Sequence, residues 1–378
     1  QYDGRYYPNI SGVLRSLNYY PIGDERAEDG IASLALGLGK YIVDGGQTLR
    51  VSPYHPNQIL QTSELDTALR ETQTRFYALD TRHVGNDFKV DDGFNILNLK
   101  VKEAERDNSL NYIASTYDPY DQVIRDGIYD GGRKVITFAS VLQHGVFPLP
   151  QLLQLSMKYG AESMRRPVEI EFACNINQDR TGALYLLQIR PIVDSKQMLD
   201  EDVAAVPDAD CILRSHNSLG HGVTEDVTDI VYVKTDDRFT ASDNPTIARE
   251  IEKINKTYLD NGANYVLVGP GRWGSSDSWL GIPVKWPHIS AARVIVEVAL
   301  KNYRVDPSQG THFFQNLTSF GVGYFTIDEN RGEGFFCKSE LDAMPSVMET
   351  EHVRVVRFAH PLKIMMDGKR QEGAVLRR

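Results

Sequence analysis

Two stretches carry residues whose types and spacing could do chemistry: "VEIEFACN" at 168–175 and "LYLLQIRPI" at 184–192. Read as strands, they alternate their side chains between two faces. Glu169, Glu171 and Ala173 then share one face, with Ile170, Phe172 and Cys174 on the other. On the second strand Leu184, Leu186, Gln188 and Arg190 share a face, opposed by Tyr185, Leu187 and Ile189. The intervening "INQDRTG" has the Asp and Gly of a hairpin loop, so Glu171 is expected across from Gln188 or a neighbour. Oxygen ligands of this kind suit Mg²⁺, whose shell substrate phosphates and water complete. A nearby arginine suits a phosphate, because its planar fork donates two hydrogen bonds at once. The chemistry suggested is nucleotide–metal binding for phosphoryl transfer. The plainer alternative is the solvated face of an edge strand, with Arg190 pairing to the glutamates.

Other elements must position these strands. "LPQLLQLSMKYGAESM" (149–164) has apolar residues at helical spacing. "ISGVLRSLNYY" (10–20) reads as a strand entering a turn at Pro21-Ile22-Gly23. "IASLALGLGKYIVDGG" (31–46) is apolar and broken by Gly37 and Gly39. "TLRVSPY" (48–54) reads as a further short strand, and residues 63–76 as a helix with a serine N-cap. Residues 80–130, rich in Asp, Asn and Tyr, read as irregular surface structure. The acidic, apolar-poor stretch after Pro191 reads as a linker, 195–210. A second unit, 211–378, alternates strands and helices, so the fold class is α/β or α+β.

Composition sets limits. The 378 residues are 41% hydrophobic and 10% aromatic, enough for a core,. The formal net charge of −10 argues against broad nucleic-acid or anionic-membrane binding,. No apolar run has bilayer-spanning length and the N-terminus has no signal pattern. Cys174, Cys211 and Cys337 lack C-x-x-C spacing, which argues against a disulfide framework or structural zinc; a reducing cytoplasm is the default,.

The end of the first half, "EIEFACN…GALYLLQIRPI", is similar to the end of the nucleotide-binding domain in the phosphoenolpyruvate synthase and pyruvate phosphate dikinase family. There a D-I-E-W-A strand precedes L-Y-I-L-Q-x-R-P. "ISGVLRSLN" resembles that family's S-G-V-M-F-T strand, and "LALGLGKYIVDGGQTLRVSP" its A-W-G-L-G-E-x-V-V-x-G-x-x-x-P segment. The resemblance implies the second lobe of an ATP-grasp domain over 1–194, with an insertion at about 54–145. It implies ATP and Mg²⁺ as cofactors. Glu171 and Gln188 match the metal and ATP-phosphate ligands, and Glu169 stands where the family has aspartate, as a third metal-side candidate. Arg190 matches the phosphate-contacting arginine, here the one catalytic candidate. Arg15 and Lys40 depart from the family pattern. The first lobe, the G-G-x-T-S-H phosphohistidine motif and the pyruvate-binding barrel have no counterpart in the sequence. The chain therefore reads as part of a longer phosphotransferase, with the parent protein's other domains and a small-molecule acceptor (pyruvate, by analogy) as partners. Homodimerisation stays open, and the isolated chain is expected to be inactive.

In the second unit Gly269, Gly271 and Gly274 form G-x-G-x-x-G after a strand, but no helical pattern follows, so a dinucleotide fingerprint is disfavoured. An anion-binding loop assisted by Arg272 and Ser275 is the functional alternative to an ordinary turn. "SHNSLGHGVTEDVTDIVYVK" and "ISAARVIVE" faintly resemble the family's phosphohistidine domain, with alanine where the reactive histidine belongs. His221, His288 and His312 are weak substitutes. The competing reading of the whole is a non-catalytic nucleotide-sensing or scaffold module.

Overall fold

The computed structural model describes residues 4–82, 95–192, 202–236, 239–275, 277–300, 317–318 and 320–377. The fold class is α+β, and the chain divides into two compact units: residues 1–18 with 28–193, and residues 19–27 with 194–378.

The first unit is built on a five-stranded antiparallel sheet of β1 (Ile10–Arg15), β2 (Ile31–Ala35), β3 (Leu49–Val51), β4 (Val168–Ile176) and β5 (Gly182–Pro191). Its spatial order is β5–β4–β1–β2–β3, so the two strands read from the sequence lie side by side with β5 at the edge. Alternation decides which face is covered. Ile10 and Leu14 of β1, Leu34 of β2, and Ile170, Phe172 and Cys174 of β4 are all fully or almost fully buried. The short helix α1 (Lys40–Val43) follows β2, and the helix α2 (Leu149–Met164) covers that face. Leu149, Leu153, Met157 and Gly160 of α2 are buried at spacings of three and four residues,. Gly12 is required by this packing: a Cβ there would lie 2.2 Å from Cζ of Phe172. The aromatic ring occupies the volume that a side chain on β1 would need.

Between β3 and α2 the expectations are only partly met. The helix expected over 63–76 is confined to Leu65–Glu71, its N-cap is Glu64 rather than Ser63, and Arg75–Asp80 is a strand. The chain leaves the helix early because Gln73 is buried and bonded to the backbone of Leu36. The stretch expected to be irregular contains the strands Ile96–Lys100, Ala114–Asp118 and Val123–Asp126 and the helix Val101–Arg106. Asp118 makes the turn of one hairpin, its Oδ1 accepting from the backbone N–H of Tyr120 (2.9 Å) and Asp121 (3.3 Å),. Polar composition there marks turn chemistry between short strands.

The second unit holds a ten-stranded mixed sheet. Its parallel part is β6 (His221–Val233), β7 (Tyr265–Pro270), β8 (Ala292–Val298) and β9 (Gly323–Ile327), in that order. The helix α3 (Asn244–Asp260) joins β6 to β7, burying Ile247, Ile251, Ile254 and Tyr258. The long β10 (Val353–Asp367) runs antiparallel to β6 on its other side. Residues 195–201 of the expected linker lie outside the described residues. The remainder forms two short 3₁₀ turns, Val203–Ala205 and Asp208–Asp210, with Val203 buried. Among the described residues no helix is long and apolar enough to cross a membrane.

Candidate functional site

The candidate site is the open face of the first unit's sheet. Because one face is packed under α2, every side chain of the opposite alternation projects the other way. Register places these residues in two rows across the strands. One row runs Arg190, Glu169, Arg15, Ile31. The next runs Gln188, Glu171, Val13, Ser33, Arg50. All four residues expected to form a site, Glu169, Glu171, Gln188 and Arg190, are therefore neighbours on one sheet face. Glu171 is paired directly with Gln188.

An irregularity in register makes that grouping possible and corrects one expectation. Glu171 pairs with Gln188, but the next residue, Phe172, pairs with Leu186, which leaves Leu187 as the extra residue of a β-bulge,. Leu184 and Leu186 therefore lie across from Cys174 and Phe172, on the face opposite the polar rows, where Leu184 packs against the core and Leu186 stays exposed. They do not share the face of Gln188 and Arg190. Tyr185 takes their place, paired with Ala173 and half exposed beside the polar rows.

Within this face the two glutamates are in different electrostatic settings. Glu169 is 7% exposed. Its Oε1 accepts from Nε of Arg190 at 2.9 Å and, more closely still, from Nη2 of the same guanidinium. Its Oε2 accepts from Nε of Arg15 at 2.7 Å. Burial pushes the Glu169 carboxyl up, but the hydrogen bonds and charges of Arg190 and Arg15 outweigh it and hold it below the usual carboxylate range,. Glu171 is only partly buried, and among the described residues neither it nor Gln188 makes a side-chain hydrogen bond. Glu171 does help to hold the Arg190 guanidinium protonated, as a smaller influence than Glu169. One carboxylate is thus spent on two arginines, while the other, with its neighbouring amide, offers its oxygens outward.

The G-L-G segment borders the same face. The buried Ser11 hydroxyl donates to the carbonyl of Gly37 at 2.6 Å, and Gly39 lies beside the Ser11 side chain. Gln73 fixes the segment from behind, accepting from Leu36 N–H at 2.8 Å and donating to its carbonyl at 2.9 Å. Sequence reasoning did not single out Gln73 or Tyr185. Arg15 was visible only as a departure from a family pattern, though its place in the β1 alternation with Ser11 and Val13 was a usable signal.

The first unit is an α+β domain whose polar rows lie on the sheet face opposite α2. The family model described as pyruvate phosphate dikinase, AMP/ATP-binding domain, matches residues 4–208, just over half of the chain, and the chain belongs to that family. Its lineage is one of phosphotransferases. Comparison with curated proteins finds no match.

The glycine-rich loop of the second unit has a packing explanation. Among the described residues no helix starts there: Arg272–Trp273 is a two-residue strand paired in parallel with Gly281–Ile282. Trp273 is fully buried, its N–H donating to Oε1 of Glu297 (2.9 Å) and its Nε1 to the carbonyl of Val296 (3.0 Å). A Cβ on Gly269 would meet the tryptophan ring at 2.4 Å. Gly271 and Gly274 have φ of 68° and 78°, which glycine adopts without strain,. Ser275 donates to the carbonyl of Asp277. The histidines are similarly engaged. His221 stacks on Tyr19 with centroids 4.4 Å apart. Nδ1 of His288 accepts from the N–H of Lys285, and its other nitrogen lies 3.7 Å from Glu252. His312 lies outside the described residues.

Proposed function

We propose that the open sheet face binds ATP through Mg²⁺ and serves ATP-dependent phosphoryl transfer, as one part of a dikinase-like phosphotransferase. The observation that carries this reading is the direct pairing of Glu171 with Gln188 beside Arg190, on a face that the G-L-G segment borders. A carboxylate and an amide oxygen that accept no hydrogen bond among the described residues fit a hard cation that prefers one or two protein oxygens and completes its shell with phosphate and water. Glu171 and Gln188 are the residues that would hold it. Mg²⁺, when bound, neutralises phosphate charge and orients the chain for in-line transfer. Arg190 presents its guanidinium to the same phosphates and offsets charge that develops on them during transfer. Glu169 was expected as a further metal ligand, but engagement of both its oxygens favours a different role, that of holding the arginines. Transfer onward to a small acceptor such as pyruvate rests on analogy with the family.

The test uses the full-length protein. Glu171→Gln keeps the size and the strand pairing but removes the charge, and is expected to abolish ATP-dependent turnover with the fold intact by circular dichroism. Turnover at the wild-type rate would sink the assignment. A second reading, a nucleotide-sensing or scaffold module without catalysis, is supported by the structural engagement of His221 and His288. Phosphohistidine detected by mass spectrometry after ATP exposure would exclude it.

A further inference from the structure

We propose that Arg15 is a second phosphate-contacting guanidinium, that Glu169 is a positioning residue holding it beside Arg190, and that the pair recognises a chain of two or more phosphates. The proposal rests on the nucleotide reading of this face and deepens it.

Arg15 and Arg190 sit on the two strands that flank β4, and both are the direct register partners of Glu169. Two strand spacings separate their backbones, about 9–10 Å. Their head groups are drawn much closer, since they bond opposite oxygens of one carboxylate. Glu169 is buried, while the Arg15 and Arg190 side chains are 49% and 57% exposed. The anchor is therefore fixed and the forks face solvent. An arginine carries five N–H donors. Among the described residues Arg15 spends only Nε on a side chain, and Arg190 only Nε and Nη2. The remaining donors can meet phosphate oxygens.

The Glu169 carboxylate occupies the position directly between the two guanidiniums. A single small phosphate cannot take that bridging place, whereas successive groups of a diphosphate or triphosphate can pass over it and engage one fork each. Glu169 and Glu171 together balance the charge of the two arginines, so metal-free recognition rests on the donors that the two forks have left rather than on net charge,.

The experiment isolates the arginines by excluding metal. In EDTA-containing buffer, phosphorus NMR titration measures binding of inorganic pyrophosphate and inorganic phosphate to the intact chain. The wild type is expected to bind pyrophosphate about tenfold more tightly than phosphate, and Arg15→Met to lose that preference. Arg15→Lys, which keeps charge but not the fork, should recover part of it. Glu169→Gln separates positioning from simple charge: removing a negative charge would tighten anion binding electrostatically, whereas loss of positioning weakens the preference for pyrophosphate. Circular dichroism on each variant checks folding. Pyrophosphate affinity unchanged in Arg15→Met, or absence of pyrophosphate preference in the wild type, overturns the proposal. Since metal is excluded, that result is separate from the metal-dependent ATP binding that tests the role of Glu171, and either reading can fail alone.

Discussion

Glu171 lies directly across the β4–β5 pair from Gln188, and one residue further on the bulge at Leu187 changes the register. The two facts belong together. With regular pairing, a charged row and a leucine row would share one face of an edge strand. The bulge puts Leu184 and Leu186 on the face opposite the polar rows, which leaves Gln188 and Arg190 with the glutamates on the open side. Polar residues stand where a sheet usually stores valine because that face of the sheet is not part of the core.

The Glu169 carboxylate makes stability depend on pH with a definite sign. Its folded-state pKa lies below the unfolded value. Its contribution is therefore fully present above the unfolded glutamate value of about 4.3 and is lost as pH falls through the lowered folded value. Glu169→Gln is expected to cost about 1–3 kcal/mol at pH 7, a range kept modest because both arginines are half exposed. The difference from wild type should shrink as the pH is taken below about 4. Urea unfolding at the two pH values measures this, and a difference that stays constant would contradict it.

Gly12 and Phe172 form a coupled pair across β1 and β4. Gly12→Ala is expected to destabilise by about 1–3 kcal/mol, since the added methyl meets an immobile ring,. Combining it with Phe172→Leu should cost less than the sum of the two single changes, because the smaller side chain vacates the space. Strict additivity in denaturant unfolding would show that the ring is not what requires glycine.

The tryptophan of the glycine-rich loop is a core residue. Trp273→Ala is expected to cost about 3–5 kcal/mol in stability. Arg272→Ala should leave the affinity for ATP as it is in wild type. A loss of nucleotide affinity in Arg272→Ala, measured by calorimetry, would return the loop to the list of binding elements.

Much of the site-bearing sheet was legible because its strands carry strict alternation and its helix a clean apolar spacing. Leu149, Leu153 and Met157 announce one covered face, and Glu169, Glu171, Gln188 and Arg190 announce something other than a core. The bulge was not legible, because a single extra residue in "LYLLQIRP" leaves no compositional trace: the extra Leu187 follows another leucine, Leu186. The strands between 96 and 126 were missed because Asp and Tyr in short hairpins look like surface loop. The end of the helix at Glu71 was missed because it depends on Gln73 bonding to Leu36, a contact 37 residues away in sequence. The double engagement of Glu169 needed coordinates for the same reason: Arg15 lies 154 positions from it.

The most direct test of the central claim is the Mg²⁺ dependence of ATP binding by the full-length protein, measured by calorimetry for wild type and for Glu171→Gln. Wild type should bind ATP more tightly with Mg²⁺ than without it, and Glu171→Gln should lose that enhancement while its melting temperature stays near the wild-type value. An undiminished Mg²⁺ enhancement in the variant would show that the metal–nucleotide site lies elsewhere.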